Sequence, residues 1–218
     1  MLSVSKYKDY DCLANVLTKK GIIRVKFVGV RRKNAKMAYS AQPFCHAQFL
    51  LSSAKDYATV CQTDQISDFF AITQDYDAYV LGAKLLKIAN HISANETEDL
   101  FNLMLLTLSA LANGATANVV ECFALSGVLK ILGVYNPNLL CASCGKSLAG
   151  GAMLDQNSGA FYCPNCGPDN GVAVSKNVLE YLHKCANNNL STLLFENVSE
   201  GVLQKAQNIL QKLVDLNM

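Results

Sequence analysis

The period of the apolar positions changes part-way along the chain. Residues 21–29 alternate: Ile23, Val25 and Phe27 fall on one face, with Arg24, Lys26 and Val28 on the other. That two-residue period is the mark of a half-buried strand, so Phe27 is expected in a core while Arg24 and Lys26 project outward together. Residues 12–17, 44–51 and 57–62 read as further strands. Four or five short strands in the first 76 residues predict a small barrel, because closure removes the exposed edges a short open sheet would carry. The strand count fits both a five-stranded oligonucleotide-binding (OB) barrel and an SH3-like barrel.

From Asp77 onward the period lengthens to that of a helix. Val80, Leu81, Lys84, Leu85, Ile88, Ala89 and Ile92 form a mostly apolar stripe. Asn95, with Glu98 three residues later, has the form of an N-cap opening a helix that runs to Ala112. Val119, Val120, Phe123, Ala124, Gly127, Val128, Ile131 and Leu132 predict a third helix, stopped at Gly133 with Pro137 beyond. Ser175 and Ser199 are expected to cap helices over 176–185 and 200–216. The uncharged stretch 100–120 is too interrupted by Asn102, Thr107, Ser109, Asn113, Gly114, Thr116 and Asn118 for a membrane span, and is expected to be a buried helix pair. The start of the chain is not that of a signal peptide.

Cysteines add the first chemistry. Cys141/Cys144 and Cys163/Cys166 are two C-x-x-C pairs separated by eighteen residues, a spacing that reads as a zinc site. Each pair is followed by a glycine, Gly145 or Gly167, able to take the positive φ such a turn commonly needs. Between the pairs, Met153-Leu154 and Ala160-Phe161-Tyr162 flank a turn-rich tip, predicting a hairpin. Four thiolates leave no open coordination position, so the implied Zn²⁺ is structural, one per chain. The hairpin would be inserted between the third and fourth helices. Cys12, Cys45, Cys61, Cys122 and Cys185 stand singly and are expected as small core residues of a cytoplasmic protein, where thiols stay reduced.

Charge is distributed unevenly. Residues 1–60 carry a net +8 and residues 61–218 a net −6, and all three arginines lie in the first part. Such asymmetry points to an acidic partner for the basic part, nucleic acid above all. Four cations fall within residues 31–36. Tyr39 lies close to this basic loop, and Tyr7 and Tyr10 flank Lys8; each could serve a core or a stacking surface. His46, His91 and His183 are isolated, and the chain has no recognisable nucleophile, phosphate-binding glycine loop or paired carboxylates. Glu96, Glu98 and Asp99 read as first-turn helix charges. A non-catalytic protein is expected.

These pieces stand in a telling order. Tyr7-Lys8-Asp9-Tyr10-Asp11 precedes Leu17-Thr18-Lys19-Lys20-Gly21, then Phe27-Val28-Gly29-Val30-Arg31-Arg32-Lys33 and Gln42-Pro43-Phe44. Far downstream, residues 132–145 read L-G-V-Y-x-P-x-L-x-C-x-x-C-G. Across essentially the whole chain this resembles the RecO family of bacterial recombination mediators, which act in DNA repair. The resemblance implies an α+β protein: an N-terminal OB-fold β-barrel over residues 1–76, then an α-helical bundle domain over 77–218 carrying an inserted four-cysteine zinc hairpin at 141–166. It further implies binding of single- and double-stranded DNA, annealing of complementary strands, and cooperation with RecR in helping RecA displace single-strand-binding protein. The family's basic barrel surface maps onto Lys19, Lys20, Arg24, Lys26, Arg31, Arg32, Lys33 and Lys36, and its zinc ligands onto the four paired cysteines. No catalytic residue carries over. A zinc-ribbon scaffold or transcription-associated protein whose barrel meets RNA or protein is the alternative, and a thiol redox enzyme a third reading.

Overall fold

The computed structural model of the chain describes residues 1–52, 57–92 and 97–218. They form two compact units, Met1–Gly114 and Ala115–Met218.

The first unit is built on five strands: β1 (Ser3–Tyr7), β2 (Asp11–Thr18), β3 (Gly21–Phe27), β4 (Cys45–Ser52) and β5 (Ala58–Asp68). Their spatial order is β1-β2-β3-β5-β4. All neighbours are antiparallel except β3 and β5, which run parallel through Val25–Ala58 and Lys26–Thr59. This is the OB strand order. The barrel is not closed: β1 and β4 are the two edges, with no strand pairing between them among the described residues. Met1 N donates to Cys45 O at 2.9 Å near that opening. Irregularities in the β4–β5 register at His46/Ala47 and Leu50/Leu51 are the bulges that let a sheet curl.

The alternation read from β3 holds, with Val25 and Phe27 fully buried beside Cys12, Ala14, Val16, Val30 and Val60. Phe27 meets Phe49 edge to face at 5.9 Å. Strand β2, by contrast, is buried on both faces, since Leu13 and Leu17 are covered as well. The cover is helical. Helices α1 (Tyr76–His91) and α2 (Thr97–Ala112) belong to this unit, and Asn15 Nδ2 donates to Asn90 Oδ1 at 2.9 Å. Asp75 caps α1 by accepting from Ala78 N at 2.8 Å. Leu81, Leu85, Ile88 and Ala89 are buried as the stripe predicted, but Val80 faces outward and Leu86 inward, because the buried arc is centred one residue away. The predicted N-cap of α2 at Asn95 lies outside the described residues.

The second unit contains α3 (Ala117–Ile131), α4 (Lys176–Asn187), α5 (Leu190–Leu194) and α6 (Glu200–Asn217), with α3 packed against α4 and α6. Val120, Cys122, Ala124, Leu125, Val128 and Leu129 of α3 have no exposed surface. Between α3 and α4 lies a three-stranded sheet of β6 (Ala152–Leu154), β7 (Phe161–Tyr162) and β8 (Val172–Val174), in the order β7-β6-β8. The expected hairpin pairs Met153 with Tyr162 and Leu154 with Phe161, and β8 is an addition that the sequence did not signal. Ser175 and Ser199 occupy N-cap positions with extended backbone, but neither hydroxyl makes a cap bond. The uncharged stretch 100–120 is broken at 113–116, so α2 and α3 fall in different units. Among the described residues no helix is long and apolar enough to cross a membrane. Of the five single cysteines, Cys12, Cys45, Cys122 and Cys185 are buried as expected, whereas Cys61 is exposed on β5.

Candidate metal centre and nucleic-acid interface

The two C-x-x-C turns are tight loops held by their own backbone. Gly145 N donates to Cys141 O at 2.9 Å, while Cys166 N and Gly167 N both donate to Cys163 O at 3.0 Å. Ala142 N donates to Phe161 O at 2.9 Å, so the β6–β7 hairpin carries the second pair to the first. Gly145 does adopt positive φ, at 70°. Gly167 does not; a side chain there would lie 2.6 Å from Met153 Cβ, so close approach and not backbone conformation selects that glycine.

The four sulfurs of Cys141, Cys144, Cys163 and Cys166 all lie within 4.8 Å of one another. Cys144 and Cys163 Sγ are 3.8 Å apart. A disulfide needs about 2.05 Å. Tetrahedral Zn–S bonds of about 2.3 Å place sulfurs roughly 3.8 Å apart, so the donor set fits a metal such as zinc. Cys141 is buried, and the N–H groups of Cys144 and Cys163 hold its thiol down to about 6. The Cys166 thiol is pushed up to about 11, first by its hydrogen bonds to the sulfurs of Cys163 and Cys144 and then by burial. No other group of His, Cys and carboxylate residues among the described residues is placed to hold a metal. His183 is accounted for otherwise, its Nδ1 lying 2.7 Å from Pro137 O. His46 stacks on Phe69.

The basic residues singled out in the sequence do not form one patch with one role. Lys19 and Lys20 lie at the β2–β3 turn, at the other end of β3 from the basic loop, and Lys19 pairs with Glu98 at 3.0 Å. Both partners are exposed, so that pair contributes little to stability. Arg24 is exposed on β3. Lys26 Nζ meets Asp11 Oδ2 at 3.0 Å. Asp11 also accepts from Gly29 N at 2.8 Å, and that bond first, then Lys26, holds its carboxyl below the usual range. Arg31 N donates to Tyr10 O at 3.0 Å, and its guanidinium reaches Asp9 O at 3.1 Å. Asp11 and Arg31 therefore tie the basic loop to the β1–β2 turn. Arg32 lies over the Tyr10 ring, 5.3 Å from its centre. Lys33 and Lys36 are exposed.

Tyrosines complete this surface. Tyr7 and Tyr57 meet edge to face at 6.5 Å. Lys26 and Lys8 lie 5.3 and 5.5 Å from the Tyr7 ring, and Arg24 lies 5.4 Å from Tyr57. Tyr57 was read only as the start of a strand, and Lys8 only as the cation between Tyr7 and Tyr10. Tyr57 comes beside Arg24 only through the parallel β3–β5 pairing, which leaves no local signal. Tyr39 instead anchors its loop, its hydroxyl lying 2.9 Å from Thr63 Oγ1.

Two family models match the chain in succession. The N-terminal model of recombination protein O covers residues 1–69, and the C-terminal model covers 73–218. The chain belongs to the RecO family. Among its relatives is the DNA repair protein RecO of Dehalococcoides mccartyi, 25% identical over 209 residues, covering 93% of this chain and 82% of that protein. RecO of a Nocardioides species is 28% identical over 176 residues (76% and 71%), and RecO of Frankia casuarinae is 27% identical over 191 (84% and 77%). RecO membership assigns the chain to DNA repair and recombination. The α+β arrangement of an OB-type sheet followed by helices accords with it.

Proposed function

We propose that the chain is a recombination mediator that binds single- and double-stranded DNA, anneals complementary strands and, with RecR, helps load RecA on DNA coated by single-strand-binding protein. The observation that carries this reading is the gathering of Arg24, Lys26 and Arg32 with Tyr7, Tyr10 and Tyr57 on one surface of an OB-type sheet. OB folds use the β2–β3 face and the loops beside it for oligonucleotides. Arg24, Arg32, Lys33 and Lys36 are the phosphate ligands; Lys26 and Arg31 chiefly shape the surface, and Lys19 and Lys20 extend it past the far end of β3. Neutralising phosphates on two strands at once lowers the repulsion that slows their pairing.

Residues 1–76 carry the DNA in this reading, and the net-acidic remainder serves protein partners. Cys141, Cys144, Cys163 and Cys166 hold one structural Zn²⁺, which cross-links a hairpin too small to have its own core. The protein works in the cytoplasm and performs no covalent chemistry. The test is annealing of complementary oligonucleotides precoated with single-strand-binding protein. Acceleration over the protein-free reaction is expected; a folded, zinc-loaded protein that gives none refutes the mediator role.

A further inference from the structure

Tyr7 and Tyr57 stand fifty residues apart in sequence, yet their rings are in contact. Tyr7 ends β1 at the β1–β2 turn, and Tyr57 leads into β5. Neither ring belongs to the barrel core, which is formed by the opposite face of β3 through Val25 and Phe27. The groups next to the two rings are cations: Arg24 at Tyr57, Lys8 and Lys26 at Tyr7. Lys8 holds a left-handed backbone, φ 52°, which turns the chain sharply just after Tyr7. Tyrosines needed only to fill space have no reason to gather three cations, two from β3 and one from the β1–β2 turn.

A single strand offers phosphates and unpaired base faces in alternation, whereas a duplex hides its base faces. Cations alone bind both forms through phosphate. A ring beside cations binds the single strand in addition, because a base can stack on it while the cation turns to the neighbouring phosphate. We infer that Tyr7 and Tyr57 form a base-stacking platform that gives the first unit a preference for unpaired DNA. This rests on the DNA-binding reading above and names the residues that discriminate between the two DNA forms.

The experiment compares the full-length protein with Tyr7→Leu, Tyr57→Leu and the matching Phe variants. Each is titrated against a single strand, an abasic strand of equal length and charge, and a duplex. Stacking on one base corresponds to a loss of roughly 5- to 150-fold on alanine substitution, so about tenfold is expected for each Leu variant on the intact strand. The abasic strand and the duplex should show little change, the salt slope should stay as in the wild type, and Phe should restore binding. Equal loss on all three ligands, or no loss on any, overturns the platform. Photocrosslinking of wild-type protein to a 5-iodouracil-substituted strand supplies a readout independent of variant folding: adducts at Tyr7 or Tyr57 support the platform, and adducts only elsewhere overturn it. A wild type that binds none of the three ligands refutes the DNA-binding reading itself, an outcome distinct from selective failure of the tyrosines.

Discussion

Replacing Lys33 and Lys36 together by alanine should flatten the salt dependence of DNA binding by an amount that can be stated in advance. Both side chains are exposed, and neither takes part in an ion pair among the described residues. Each phosphate contact contributes about 0.7 to the log-affinity versus log-salt slope for single strands and about 0.9 for duplex. Two lost contacts therefore reduce the slope by about 1.4 on single strands and about 1.8 on duplex. Between about 50 and 200 mM salt the wild type should lose roughly sevenfold more single-strand affinity than the variant. Fluorescence anisotropy on two unrelated sequences reads this directly, and the change should be alike on both, because phosphate contacts carry no base information. Arg31→Ala is the informative contrast. Its guanidinium is engaged with the β1–β2 turn, so its loss should destabilise the first unit by about 0.5–1.5 kcal/mol and weaken binding with a smaller change of slope. An unchanged slope in the lysine double variant rejects the phosphate role; a sequence-selective loss means base contacts instead.

Three further outcomes follow from local geometry. Elemental analysis should find one zinc per chain, Cys163→Ser should lower that occupancy, and acidification should release the metal because protons compete for the thiolates. Gly159→Ala should lower the melting temperature: its φ is 67°, which costs an alanine about 1–2 kcal/mol, and the added methyl would meet Val134 O. Asp11, whose carboxyl is held low by Gly29 N–H and Lys26, contributes stability that is present above the usual carboxylate range and lost as pH falls through its lowered value. Chemical denaturation should therefore show the wild type's advantage over Asp11→Asn shrinking below about pH 4.

The parts of this structure that were legible in sequence are those whose signal is local. A period of two placed Phe27 in the core and Arg24 outside it, and paired C-x-x-C turns located the sulfurs that the structure brings together. What was not legible depends on partners distant in sequence. Periodicity shows that α1 has a buried stripe, but not that α1 and α2 together cover β2. Yet the run Cys12-Leu13-Ala14, apolar at successive positions, already hinted that β2 would be covered on both sides. Tyr57 meets Tyr7 only because β5 adds in parallel beside β3, which no residue pattern near either tyrosine announces. Arg31 looked like a free cation because its acceptors are backbone carbonyls, and these leave no trace in sequence.

DNA held on the tyrosine–cation surface of the first unit should shield it in hydrogen–deuterium exchange of the full-length protein with and without a single-stranded oligonucleotide. Protection is expected in peptides covering the β1–β2 turn, β3 and the basic loop 28–36, with the second unit nearly unchanged. Protection confined to residues 115–218 would place the DNA on the second unit instead.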